Sequence, residues 1–223
     1  MRIAELWRYP VKSMAGERLE VADVREDGIV GDRIVHVVNG AGRVVTSRSK
    51  PALLGHRATL GTDGEPLING RPWREVEVPE GRLVRYDGVE RFDVLPLLVA
   101  TDGAIAALGY DGRRLRPNIV IAGVEGLADR SWEGRRLRAG EVVIGIQDLR
   151  ERCIMTTFDP DTLEQNVEVL RKIRREFAGT MALNCYVIET GKIAVGDEVE
   201  LLPHPDPLPG KRGEGSSDAI TSI

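Results

Sequence analysis

Residues 151–162 read ERCIMTTFDPDT, following the β-branched run EVVIGIQ at 141–147 and preceding a helical pattern. Asp159-Pro160 disfavours helix at Asp159, because the proline ring crowds the backbone of the residue before it. The stretch from Cys153 is therefore expected to be a strand end that runs into a shaped loop. Such a loop can present a thiol (Cys153), two hydroxyls (Thr156, Thr157) and a carboxylate (Asp159) inward from fixed positions.

Downstream, Leu163, Val167, Leu170, Ile173 and Phe177 recur at helical spacing. This predicts a helix from about Thr162 to Ala178, with Asp161 and Glu164 as a capping box and Gly179 just past the end. CYVIE and KIAVGDEVELL then supply closing strands around a turn at Gly196-Asp197. Upstream, TDGAIAALG reads as a short helix capped by Thr101 and ended by Gly109. RPNIVIAG reads as a buried strand. From Arg2 to Phe92 short β-type runs are broken by turns such as Gly28, Gly31, Asn39-Gly40, Asp63-Gly64 and Asn69-Gly70. The expected fold is mainly β (α+β), barrel-like, with a few helices. An N-terminal β-barrel region would span 1–96, a second β region 97–203, and a disordered Pro/Gly/Ser-rich tail 204–223.

The chain has 223 residues, 42 % hydrophobic and 30 % charged, which suits a folded protein with a real core. Lys and Arg number 31 against 35 Asp and Glu, a formal charge of −4, so there is no bulk attraction to nucleic acid or an anionic membrane. The Arg113–Arg116 cluster lacks interleaved aromatics, and aromatics are 4 % of the chain, so stacking platforms are scarce. No long apolar window or signal peptide is present in the sequence, which predicts a cytoplasmic protein with no membrane partner. Three scattered histidines and no CxxC exclude His-based and iron–sulfur metal sites. Two cysteines, Cys153 and Cys185, permit one disulfide.

Candidate anion binders stand at element boundaries: Lys12 and Ser13 in YPVKS, Arg33 in GDRI, Arg48 in TSRSKP, Arg116 and Asn118 in RPN, and Thr101 at a helix start. Taken singly, each also reads as a solvated charge or an ordinary cap. A reactive thiolate at Cys153 needs positive neighbours, and Arg150 and Arg152 adjoin it, although strand alternation points them to the other face. The residues alone leave open a buried structural cysteine.

YPVKS, GDRI, TSRSKP, RLRPNIVI, SWEG, ERCIMTTFDPDT and KIAVGDEVELL, in that order, make the chain resemble the MOSC family (molybdenum cofactor sulfurase C-terminal domain) with its N-terminal β-barrel region, and within it the amidoxime-reducing branch. The resemblance implies a molybdenum cofactor, a molybdopterin whose metal takes the thiolate of Cys153. It assigns cofactor contacts to Lys12, Ser13, Arg33, Arg48, Thr101, Arg116, Asn118, Arg152, Thr156, Thr157 and Tyr186, and places Asp159 in the block around the metal, where its carboxyl is a candidate proton donor. It implies reduction of small N-hydroxylated substrates, with a carrier or sulfur-transfer module using Cys153 as the alternative. The protein is expected to be without the membrane anchor and iron–sulfur domain of some relatives, and electrons are expected from a separate ferredoxin- or cytochrome-type protein.

Overall fold

The computed structural model describes residues 1–86 and 91–204; the expected tail lies, from residue 205 onward, outside them. Eight strands form one sheet in the order Val199–Leu202, Arg136–Ala139, Val142–Glu151, Thr180–Glu189, Leu97–Thr101, Ile119–Ala122, Arg2–Arg8 and Glu17–Leu19. Leu97–Thr101 and Ile119–Ala122 are parallel neighbours. Parallel neighbours need a crossover, and helix α1 (Asp102–Leu108) lies in it. Its start and stop are those the sequence predicts: Thr101 Oγ1 accepts from Ala104 N at 3.2 Å, and Gly109 is left-handed at φ 73°.

Three small sheets complete the fold. Val35–Val38 lies between Arg82–Arg85 and Val44–Val45; Val21–Arg25 between Gly191–Ala194 and Gly28–Ile29; and Pro66–Ile68 between Ala58–Leu60 and Arg71–Pro72. The mainly β architecture is as expected, its sheets being open ladders rather than closed rings. The two ends of the chain are exchanged: Arg2–Arg8 pairs with Ile119–Ala122, while Gly191–Ala194 pairs with Val21–Arg25.

Alternation buries one face of the large sheet, where Ile3, Leu6, Leu97, Ile121, Ile146 and Leu183 are at most 1 % exposed. Burying each such side chain stabilises by about 1.5–3 kcal/mol. A second cluster gathers Met14, Val35, Val37, Leu53 and Ile68. A third packs Leu108 and Leu115 against helix α2 (Val167–Glu176) through Val169, Ile173 and Phe177.

Helix α2 is shorter than the expected Thr162–Ala178. Asp159 Oδ1 accepts from the backbone N of both Asp161 and Thr162 at 3.0 Å, forming a turn, and Leu163 is left-handed at φ 61°. The helix then starts beyond Asn166, whose Oδ1 accepts from Glu168 N at 3.0 Å. The Asp161/Glu164 capping box does not form, because Asp159 Oδ1 takes the Asp161 N–H and Thr162 Oγ1 takes that of Glu164. Both cysteines are free, which removes the disulfide alternative.

Candidate functional site

The Arg2–Arg8 strand stops before Pro10, which has no N–H to give a ladder. Lys12 N donates to Val35 O at 2.8 Å, and Ser13 takes a left-handed backbone, φ 71°. Arg33 (φ 53°) and Arg116 (φ 56°) do the same. Such conformations are costly for residues with a Cβ and concentrate at functional sites. All three residues line one cleft, with Lys12, Arg48, Asn118, Arg152 and Cys153. The cleft therefore draws on both halves of the chain.

Tyr9 backs this cleft. The guanidinium carbons of Arg116 and Arg33 lie 4.3 and 5.1 Å from its ring centroid, a double cation–π arrangement. Its hydroxyl donates to Pro117 O at 3.1 Å, and burial pushes the phenol up to about 12 against the opposing pull of the two arginines. Asp32, fully buried, accepts from Tyr9 N at 2.7 Å and pairs with Arg33. Gly16 is required just beyond, since a Cβ there would come within 2.3 Å of Arg8 O and 2.5 Å of the Tyr9 ring.

Burial pushes Arg116 and Arg152 down to about 10, against the pull of Tyr9 on the first and of Cys153 on the second. Both stay protonated at neutral pH. Arg116 donates to Met14 O and Arg152 to Leu115 O, each at 2.7 Å, while Arg152 Nε is buried without a hydrogen-bond partner. Burying cations this way is expensive unless an anion compensates.

Cys153 follows the last residue of its strand by two positions. Arg150, Arg152 and Cys153 all line the cleft, contrary to the alternation argument. The reason is local: the pairing of this strand with Thr180–Glu189 is irregular at Ile146/Asp148 and Leu149/Glu151, and the strand ends at Glu151. A 3₁₀ turn over Ile154–Thr157 follows, in which Thr156 Oγ1 donates to Cys153 O at 2.9 Å and Thr157 Oγ1 to Ile154 O at 2.7 Å. Thr156 and Thr157 are thus buried props of the Cys153 loop, outside the cleft wall. Asn118 touches the cleft, but its amide serves the backbone of the strands around it, accepting from Leu98 N at 3.2 Å and donating to Trp7 O at 3.3 Å.

The structure leaves Thr101 and Tyr186 outside the cleft. Thr101 is the buried cap of α1, and Tyr186 is 43 % exposed with its ring across Gly145. Asp159 does not fit a proton donor. Hydrogen bonds from Thr162 and Asp161 N, followed in effect by the Arg114 charge, hold its carboxyl below the ordinary value, and its Oδ2 is 2.8 Å from Arg114. It is an ionised turn anchor.

Sequence reasoning missed Asp93, Arg150, Asn184 and Met155, which also line the cleft. Arg150 was noticed only as a neighbour of Cys153; Asp93 and Asn184 carry no motif. A second cavity, of about 390 Å³, opens on the other side of Arg116 and Met155, with Trp7, Tyr9 and Phe158 in its walls.

A molybdopterin suits the donor set of the cleft. Its negative charge would compensate the cations of the cleft, and its dithiolene would complete the ligands of a metal on Cys153. Among the described residues no cluster of three or more His, Cys, Asp or Glu could hold a metal alone, so a metal here would have to arrive with ligands of its own. No helix among the described residues is long and apolar enough to cross a membrane.

Residues 1–79 match the MOSC N-terminal beta barrel domain and residues 103–200 the MOSC domain. The chain is 27 % identical to the human mitochondrial amidoxime-reducing component 1, across 90 % of this chain and 82 % of that protein. Among solved structures it is similar to the YuaD protein of Bacillus subtilis (15 % identity, 90 % and 94 % of the two chains, TM-score 0.49). It is also similar to YiiM of Escherichia coli (14 % identity, 76 % and 69 %, TM-score 0.37).

Proposed function

The chain belongs to the MOSC family, and on that premise we propose that it is a molybdenum-cofactor-dependent oxidoreductase acting on N-hydroxylated compounds such as amidoximes, hydroxylamines and N-hydroxylated bases. Family membership and the human relative carry the coarser statement, a molybdenum-cofactor-related domain. One observation supports a cofactor seat in this chain: a half-buried thiol, Cys153, lies in the same cleft as six cationic side chains, Lys12, Arg33, Arg48, Arg116, Arg150 and Arg152.

When bound, the cofactor would supply the two-electron centre at which an N–O bond is cleaved. In the balanced reaction the N–O bond breaks, nitrogen gains a hydrogen, and oxygen leaves as water at the cost of two electrons and two protons. The chain's own residues bind and orient. Cys153 offers a soft sulfur ligand in the cleft that Arg150 and Arg152 also line. Arg116 and Arg33, held over the Tyr9 ring, bring positive charge to the cleft together with Lys12 and Arg48. Substrate protons come from water in this reading, since Asp159 is ionised and turned away. Electrons would come singly from a ferredoxin- or cytochrome-type protein.

The test is to make the protein in a host that synthesises the cofactor, assay molybdenum and pterin, then supply benzamidoxime with an artificial one-electron donor. We expect bound metal and donor oxidation, both lost in Cys153→Ala while the melting curve is kept. Metal without donor oxidation would refute the reductase and leave the carrier or sulfur-transfer reading; neither metal nor pterin would refute both.

A further inference from the structure

The cleft holds an anion of its own. Asp93 Oδ1 lies 2.8 Å from Lys12 Nζ, and its Oδ2 lies 2.8 Å from Arg48 and 3.5 Å from Arg150. One carboxylate thus ties three cations from three separate parts of the chain: the turn after the Arg2–Arg8 strand, the turn after Val44–Val45, and the Val142–Glu151 strand. Burial opposes its ionisation, yet the hydrogen bond and charge of Lys12 and the charges of Arg48 and Arg150 hold its carboxyl below the ordinary value.

Its neighbours fill the same space. Phe92, Val94 and Leu95 line the cleft, and the Phe92 ring lies 5.9 Å from the Arg33 guanidinium and 4.8 Å from that of Arg91. Lys12 Nζ also donates to Arg91 O at 3.2 Å. The free room left is about 90 Å³, whereas pockets that bury a ligand of drug or cofactor size run to about 300–1,000 Å³. The cations are in place, and the 91–95 segment lies on them.

We propose that Asp93 is an internal competitor for the phosphate of the cleft's ligand: its carboxylate occupies Lys12, Arg48 and Arg150, and a phosphate monoester takes these three cations by displacing it, the 91–95 segment withdrawing with it. The inference rests on reading the cleft as a phosphate-binding site. A phosphate monoester carries about −1.5 to −2 charge at neutral pH and three acceptor oxygens, against one charge and two oxygens for Asp93. It can therefore serve all three cations at once. The carboxylate meanwhile keeps the like charges of Lys12, Arg48 and Arg150 from driving one another apart, and sets a threshold of affinity that weak anions do not pass.

The experiment is calorimetric titration of the full chain with inorganic phosphate at fixed ionic strength, comparing the unaltered protein with Asp93→Asn and Asp93→Asn/Lys12→Met. The inference expects Asp93→Asn to bind phosphate about tenfold more tightly, a gain abolished by Lys12→Met. Equal or weaker binding by Asp93→Asn overturns it while leaving the phosphate site standing. Absence of phosphate binding in every protein overturns the site reading as well. A gain that survives Lys12→Met marks an adventitious ion only and also overturns it. Phe92→Trp gives a readout that does not depend on altering Asp93. Its emission, corrected for the native tryptophans, should shift toward that of a solvated indole as phosphate is added, and an unchanged spectrum overturns the withdrawal.

Discussion

Replacing Asp32 with alanine is expected to cost about 3–4 kcal/mol of folding stability. The side chain is fully buried, accepts from Tyr9 N at 2.7 Å and pairs with Arg33. Removing one member of a buried pair costs about 3–5 kcal/mol because the other charge is stranded. An orphaned buried N–H, here that of Tyr9, adds about 1–3 kcal/mol. These terms are not additive in full, since the Arg33 side chain is 16 % exposed and can recruit water and Asn118 Oδ1, now 3.4 Å away. Asp32→Asn keeps an oxygen for Tyr9 N and should lose about half as much. Urea unfolding at pH 7, with unchanged m values, reads both variants. A loss below about 1 kcal/mol in Asp32→Ala would show that this pair does not hold the strand end to the Arg33 turn.

Thiol labelling should separate the two cysteines: iodoacetamide should modify Cys153 in the folded chain and spare Cys185, which is fully buried and whose thiol is pushed up by burial. Mass spectrometry showing equal modification of both would contradict this. Ile173→Ala empties the contact between α2 and α1 and should cost about 2–5 kcal/mol in the same urea assay; a cost under 1 kcal/mol would mean α2 is not anchored there. Because Asp159 has a lowered folded-state carboxyl value, its contribution is present above the unfolded value near 3.9 and is lost as pH falls through the lower folded value. The stability gap between the native chain and Asp159→Ala should therefore be constant from about pH 5 to 8 and close only in stronger acid; a gap that closes near pH 6 would contradict the assignment.

Much of the fold was legible because strands and caps are local. The β-branched runs NIVIA and VVIGI mark buried strands, and Thr101 and Gly109 bracket α1 at the positions their chemistry dictates. The start of α2 was misplaced because Asp159, three residues ahead of Thr162, competes for the N–H groups that a helix start would use. Of the cleft, Lys12, Ser13, Arg33, Arg48, Arg116 and Asn118 stand in motifs at element boundaries, and Cys153 in the strand-to-loop segment, whereas strand alternation points Arg152 away from where it lies. Asp93 was not. Its role arises only when strands remote in sequence bring three cations to one carboxylate, and no local pattern encodes that meeting. Tyr9 opens YPVKS, but the grip of Arg33 and Arg116 on its ring exists only in three dimensions.

The exchange of terminal strands bears on how anything could enter this protein. If the two halves were separate bodies joined by a linker, a large guest could be admitted by rocking one away from the other. Here Arg2–Arg8 and Gly191–Ala194 stitch each half into the other's ladder, so that movement would tear backbone pairing in two sheets. Admission is left to surface chain that belongs to no sheet. The same stitching means that cutting the gene between the halves would yield two fragments, each with a missing strand and an open seam, rather than two working modules.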